Sequence, residues 1–311
     1  NREQPPVPTT KLQSAATSRQ IAVPAHHSAF SGLVASSFFA PFVRPDIQIF
    51  FDTLAAIRHI ADIPDFVEET RGFLLERIEL ALGGSLPAGD QEPTVFTLAA
   101  LRLLRIQAQG RLDPQWALRL VQAARRDISR PVCATWPDLL LYCRYAAEPI
   151  GRAILQLHHL EQPELQRSTD ALCASLLLLR LTRRCGQDWR LHGRCYLPTD
   201  WFTEAGGTPE QLVERKSSPA VRAVIQRVLD RTEQLLHVAR DLPQQLADPR
   251  MVGEATRLLY LANYQLSQLD SMTPLGDTSG HRAAREFWPI FAAGWRHGGA
   301  KDLPIFLTTL I

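Results

Sequence analysis

The stretch ALCASLLLLRLTRRCGQDWRLHGRCYLPTD, Ala171–Asp200, decides the fold. Its first part, Ala171–Thr182, is almost continuously apolar. A helix formed there is buried on most faces and must be central to whatever packs around it. The chain then turns polar within two turns, through Arg183, Arg184, Gln187, Asp188 and Arg190, which brings the end of a central helix to a cavity or to the surface.

Outward from this segment the same helical texture recurs. FVRPDIQIFFDTLAAIRHIADIPDFVEETRGFLLERIELALGG (42–84) holds two helical runs, parted near Pro64 and ended by Gly83 and Gly84. Phe66, Phe73, Leu74, Ile78 and Leu82 form a helix-like stripe in the second. Further helices are expected over about 93–109, 114–127, 137–159, 166–190, 217–246, 249–270 and 281–297, with prolines and glycines mainly between them. No alternating strand pattern and no internal repeat occurs, so the reading is an all-α protein with one core. Residues 1 to about 25, with PPVP and scattered Ser/Thr, read as a loose arm, and 26–311 as one domain.

Bulk composition excludes several classes. The 311 residues are 45% hydrophobic and 21% charged, with a formal charge of +2, which gives no electrostatic footprint for nucleic acid. No uncharged apolar run of bilayer length exists, so a spanning helix is not expected, while peripheral membrane contact stays open. Five cysteines, at 133, 143, 173, 185 and 195, show no metal-pair spacing. They fit buried thiols in a reducing, cytoplasmic setting. The chain starts at Asn1 rather than Met, which leaves room for a removed targeting segment. His26/His27 and His158/His159 lack companion ligands and read as surface or capping residues. The glycine pairs at 83 and 206 read as helix breaks, and no strand-borne Gly-x-Ser-x-Gly signature is present. An aromatic run near the end, with Phe287, Trp288, Phe291 and Trp295, fits either core closure or a subunit contact.

Three segments together resemble a known family. DWRLHGRCYLP (188–198) resembles the GR-x-YLP segment that follows the second aspartate-rich helix of squalene/phytoene synthases. LLLYCRYAAEPIGRAILQL (139–157) is similar to their YC…PVGR helix, most of all as written in bacterial hydroxysqualene synthases. AAIRHIADIPD (55–65) occupies the place of their first aspartate-rich helix. The resemblance spans about 28–297. It implies an isoprenoid-synthase-like helical bundle with a central cavity, acting on prenyl diphosphates through Mg²⁺ held by acids at i and i+4, positions that share a helix face. In the hydroxysqualene branch it implies ionisation of presqualene diphosphate and capture of the cation by water.

This chain departs from the pattern at the metal motifs. The family's leading acids fall on Arg58 and His59, leaving Asp62; in the second motif the first acid falls on Arg184, leaving Asp188. The family's amide before the second motif falls on Arg180. With His59 neutral, positions 58, 59, 62, 184 and 188 sum to zero charge, and no metal cofactor is expected.

The basic replacements admit three readings. Arg58 and Arg184 pair with Asp188 and Asp62 across facing helices, or each with its own i+4 Asp, leaving a protein without Mg²⁺-dependent prenyl transfer that binds an isoprenoid or supports a complex with an active prenyl synthase. Alternatively, Arg58, Arg180, Arg183 and Arg184 clamp a diphosphate directly, in a metal-independent site or lyase. An apolar sleeve for the isoprenoid would then come from Leu176–Leu179 with Phe50, Phe51 and Leu54. In the third reading, Asp62 and Asp188 hold sparse Mg²⁺ in an active hydroxysqualene-synthase-like enzyme. Arg194 is a phosphate contact or a fold-fixing ion pair, Tyr196 a cation-stabilising ring or packing, and Tyr142 an inward ligand contact or core.

Overall fold

A 30-residue helix, Pro163–His192, forms the axis of the computed structural model. The structure describes residues 39–63, 65–87, 94–129, 132–214 and 216–271; the expected arm over 1–25, His26, His27 and the aromatic run at 287–295 lie outside the described residues. In chain order the helices are α1 (Arg44–Asp62), α2 (Glu68–Leu82), α3 (Val95–Ala108), α4 (Gln115–Ser129), α5 (Trp136–Ala146), α6 (Glu148–Leu157), α7 (Pro163–His192), α8 (Thr199–Glu204), α9 (Pro219–Ala239) and α10 (Pro249–Ser271). Short 3-10 turns at Pro209–Val213 and Leu242–Gln245 complete it. No strand longer than a single bridge occurs among the described residues, and the fold is an all-α bundle.

α7 is central for the reason its sequence gives: Leu172, Leu178, Leu179 and Leu181 are buried. α9 lies along one side of it, with Val221, Val224, Ile225 and Val228 buried. α6 lies against another. There Gly151 permits a close approach, because a Cβ would come within 2.5 Å of Thr169 Cγ2 and 2.8 Å of Cys173 Sγ. α1 packs between α3 and α4 and buries Phe50, Phe51, Leu54 and Ile57.

Two expected helices are divided. The run expected over 137–159 breaks at Ala147, whose backbone leaves the helical region (φ −124°, ψ −49°). Pro149 cannot donate to the preceding turn and instead starts α6 in its first turn. The run expected to reach 246 leaves α-helix after Ala239, and Pro243 sits at the start of a 3-10 turn.

The end of α7 positions the segment beyond it. Gly193 adopts the left-handed conformation (φ 62°, ψ 22°), its N–H bonding Trp189 O at 2.9 Å and that of Arg194 bonding Asp188 O at 3.2 Å. The chain reverses and runs beside the α4–α5 connection: Cys133 N donates to Cys195 O at 2.8 Å and Thr199 N to Cys133 O at 3.1 Å. Arg194 and Tyr196 are thereby carried back toward α1 and α4.

Candidate functional site

Two helices and the reversed segment meet around one small cleft that opens to solvent. α1 contributes Arg58 and Asp62, and α7 contributes Arg180, Leu181, Arg184, Asp188 and His192. Arg194 and Tyr196 complete the lining. The helical period explains the set, since 58 and 62, and 180, 184 and 188, recur every four residues and share a face.

Behind this lining stands Asp127, which the sequence reading missed. It is on the buried face of α4, in line with Leu120 and Ala124, and its side chain is 1% exposed. Arg58 Nη1 donates to its Oδ2 at 2.7 Å, Tyr142 Oη donates to the same oxygen at 3.0 Å, and Tyr196 Oη donates to Oδ1 at 2.9 Å. Its backbone carbonyl accepts from Arg194 Nε at 3.2 Å. A buried carboxylate needs partners on both oxygens, and these donors supply them. The signal was available: an acid on the apolar stripe of an amphipathic helix has to be satisfied by something inside.

The two retained aspartates of the motifs have different surroundings. Asp62 Oδ1 accepts from Arg194 Nη1 at 2.5 Å, and its Oδ2 lies 3.7 Å from Arg58 Nη2. Burial acts to raise the Asp62 pKa, but Arg58 and Arg194 outweigh it and hold the carboxyl below its usual range. Asp188 has one guanidinium near, Arg184 Nε at 3.7 Å, too long for a hydrogen bond. Burial lifts its carboxyl above the usual range against the pull of Arg184 and Arg180.

The cross-helix pairs Arg58–Asp188 and Arg184–Asp62 do not form; each arginine faces its own i+4 aspartate at 3.7 Å. Arg58 is drawn instead to Asp127, the shorter and more buried partner. Arg180 makes no hydrogen bond or ion pair with any described residue, and the buried Nε of Arg184 has no hydrogen-bond partner. Burial and then Arg58 lower the pKa of Arg180, the direction expected of a cation lacking a counter-ion.

Other expected site residues stand apart from the lining. Arg183 is half-buried beside Arg184 and Arg180, which with burial lower its pKa, but it is not on the cleft wall. His59 stacks on Phe96 with ring centroids 5.8 Å apart. Tyr142 lies one layer behind, fully buried, its ring tilted on that of Tyr196 at 5.0 Å. Phe50, Phe51, Leu54 and Leu176–Leu179, expected as a sleeve, are absent from the cleft wall: Phe50, Phe51, Leu54, Leu178 and Leu179 are buried in the core. His192, unnoticed in the sequence, lines the cleft; burial and then Arg194 hold its imidazole below the ordinary range, so it is neutral at pH 7. The cysteines at 133, 143, 185 and 195 are buried and all five are free. His158 closes α6 through Nδ1 to Ile154 O at 2.9 Å, as a capping residue.

The donor set does not suit a hard divalent cation, which wants several carboxylate oxygens free of competing cations. Both oxygens of Asp127 are taken, Asp62 is held by two arginines, and four guanidiniums face two carboxylates on the lining. Among the described residues no group of three or more His, Cys, Asp or Glu is placed to hold a metal ion. The lining carries a surplus of guanidinium groups, whose planar forks match anionic oxygens better than they match a cation.

Comparison with known proteins agrees with the fold and places the chain. The sequence model of squalene/phytoene synthase matches residues 25–265. The hydroxysqualene synthase of Rhodopseudomonas palustris is 32% identical over 78% of this chain and 80% of its own length. That of Zymomonas mobilis is 29% identical over 84% and 85%. Among solved structures, a squalene synthase from Alicyclobacillus acidocaldarius superposes with a TM-score of 0.64 at 26% identity, covering 78% of this chain and 88% of that one. A dehydrosqualene synthase, at 17% identity and a TM-score of 0.64, shares the fold.

Proposed function

The chain belongs to the squalene/phytoene synthase family, and from that premise we propose that it binds the diphosphate of an isoprenoid through arginines in place of Mg²⁺ and assists the departure of that diphosphate. The observation that carries this reading is Arg180, which has no hydrogen bond or ion pair to a described residue and shares the cleft lining with Arg58, Arg184 and Arg194. The i+4 contacts of Arg58 with Asp62 and of Arg184 with Asp188, each at 3.7 Å, balance part of the charge, and the lining, with four guanidiniums against two carboxylates, keeps a surplus of positive charge.

A guanidinium offers two parallel donors to phosphate oxygens, each charge-assisted. As the C–O bond to the diphosphate lengthens, negative charge grows on the leaving oxygens, and fixed cations on the cleft lining stabilise that charge more than the ground state. Arg58 and Arg194 are held for this by Asp127 and Asp62, so little reorganisation accompanies the reaction. The similarity to hydroxysqualene synthases supports presqualene diphosphate as the ligand to test first.

The test is calorimetric titration of the purified protein with inorganic diphosphate, farnesyl diphosphate and presqualene diphosphate, each with Mg²⁺ and with chelator, followed by product analysis. Binding unchanged by chelator is the expected result. Binding and turnover only with Mg²⁺ would overturn it in favour of a sparse-metal enzyme. Absence of binding under both conditions would sink it and favour a role supporting an active prenyl synthase.

A further inference from the structure

We propose that Tyr196 takes the proton from a water molecule that captures the ionised substrate, and passes its own proton to the buried carboxylate of Asp127. The inference rests on the diphosphate-clamp reading of the cleft. Tyr196 is the point where the cleft wall touches the buried polar network: it lines the cleft, and its hydroxyl hydrogen is directed inward to Asp127 Oδ1 at 2.9 Å. With that hydrogen committed, the phenolic oxygen can act only as an acceptor toward a water molecule that reaches it from the cleft. A water molecule beside it donates one hydrogen to Tyr196 and keeps a lone pair for an electron-poor carbon. The guanidiniums around it are donors only and cannot accept a proton.

The step balances without a co-reactant. Loss of diphosphate leaves a carbocation, and the water oxygen forms the new C–O bond with its lone pair. One O–H bond of that water breaks, its electron pair staying on oxygen, and the proton passes to Tyr196 Oη as the phenolic proton passes to Asp127 Oδ1. The products are a neutral alcohol and a protonated Asp127. An alkyloxonium is so strong an acid that a carboxylate already bonded to Arg58 is basic enough to receive its proton. Burial, with Tyr142 and Asp127, holds the Tyr196 phenol well above its ordinary range, so it conducts the proton rather than standing ionised.

One consequence is built into the geometry. Asp127 Oδ2 is the partner of Arg58 at 2.7 Å, and protonation of the carboxylate removes its charge. Arg58 then turns its charge toward the diphosphate it faces across the cleft. Arrival of the proton and grip on the leaving group are coupled through one side chain.

The test uses the full chain with presqualene diphosphate in ¹⁸O-labelled water, comparing wild type with Tyr196→Phe, which keeps the ring contact with Tyr142 and loses the hydroxyl. Circular dichroism and binding of inorganic diphosphate check fold and clamp. Expected results are labelled alcohol formation reduced at least tenfold and, within the products formed, a larger share of alkene, because a cation that is not captured loses a proton from carbon. Asp127→Asn, where it folds, should shift the products the same way. Unchanged alcohol yield and product ratio in Tyr196→Phe would overturn the relay. So would wild type that binds presqualene diphosphate and forms no labelled alcohol, or loss of alcohol in His192→Ala or Asp188→Asn but not in Tyr196→Phe. Failure of wild type to bind inorganic diphosphate would sink the clamp itself.

Discussion

Arg194 closes the end of α1: its Nη1 lies 2.5 Å from Asp62 Oδ1 and its Nη2 donates to Ala61 O at 2.7 Å, while Nε holds Asp127 O. One guanidinium thus satisfies a helix C-terminal carbonyl, a motif aspartate and the α4 backbone. Replacing it with methionine leaves three acceptors short of a donor, and a loss of about 3 kcal/mol in denaturant unfolding is expected. Arg194→Lys should recover little of it, because an ammonium cannot reproduce the fork.

Asp127→Ala should cost more than any surface change, about 3–5 kcal/mol, since Arg58, Tyr142 and Tyr196 would all lose the buried acceptor they share. Arg58→Met alone should cost a comparable amount, and the double variant much less than the sum. A thermodynamic cycle of the four proteins by urea unfolding checks this.

Arg180 should behave oppositely. Its lowered pKa means that folding disfavours its charge, so Arg180→Met is expected to leave stability unchanged or raise it. Diphosphate affinity should fall about 10- to 100-fold, the worth of one charged hydrogen-bonding partner. Paired melting curves and titrations separate the two effects.

Asp188 and Asp62 should give opposite pH dependences. Asp188 has a folded pKa above its unfolded value, so its ionisation weakens the fold as pH rises through the unfolded and then the folded pKa. Asp188→Asn should therefore melt higher than wild type at pH 7, with the gap closing below about pH 4, the ordinary carboxylate range. Asp62, with a depressed folded pKa, stabilises above its unfolded pKa and loses that contribution as pH falls through the folded one. Asp62→Asn should melt lower than wild type at pH 7 and converge with it in acid.

The sequence carried the fold and most of the cleft lining, but not the buried layer behind it. Ala171–Thr182 announced a central helix, and Arg58, Asp62, Arg184 and Asp188 do share one cleft, because helical periodicity fixes which residues face together. Pairing across helices was not legible: whether Arg58 turns to Asp188 or to Asp127 depends on distances between elements, and Asp127 belongs to none of the quoted motifs. The break at Ala147 escaped because apolar residues continue through it, although Pro149 marked the spot. The absence of Phe50 and Phe51 from the cleft wall shows the same limit, since an apolar face reads alike whether it meets a ligand or another helix.

Gly193 decides more than where α7 stops. By sending the chain back across α4, it gives the cleft two walls of unequal firmness: the α1 side, with Arg58 and Arg194 locked to buried acceptors, and the α7 side, where Arg180 and Arg184 have no hydrogen bond to a described residue. Under the proposed clamp, side chains held this loosely would follow ligands of different shape while the opposite wall keeps their charge in register. A change of ligand preference would then arise on the α7 wall without touching the residues that hold the fold together.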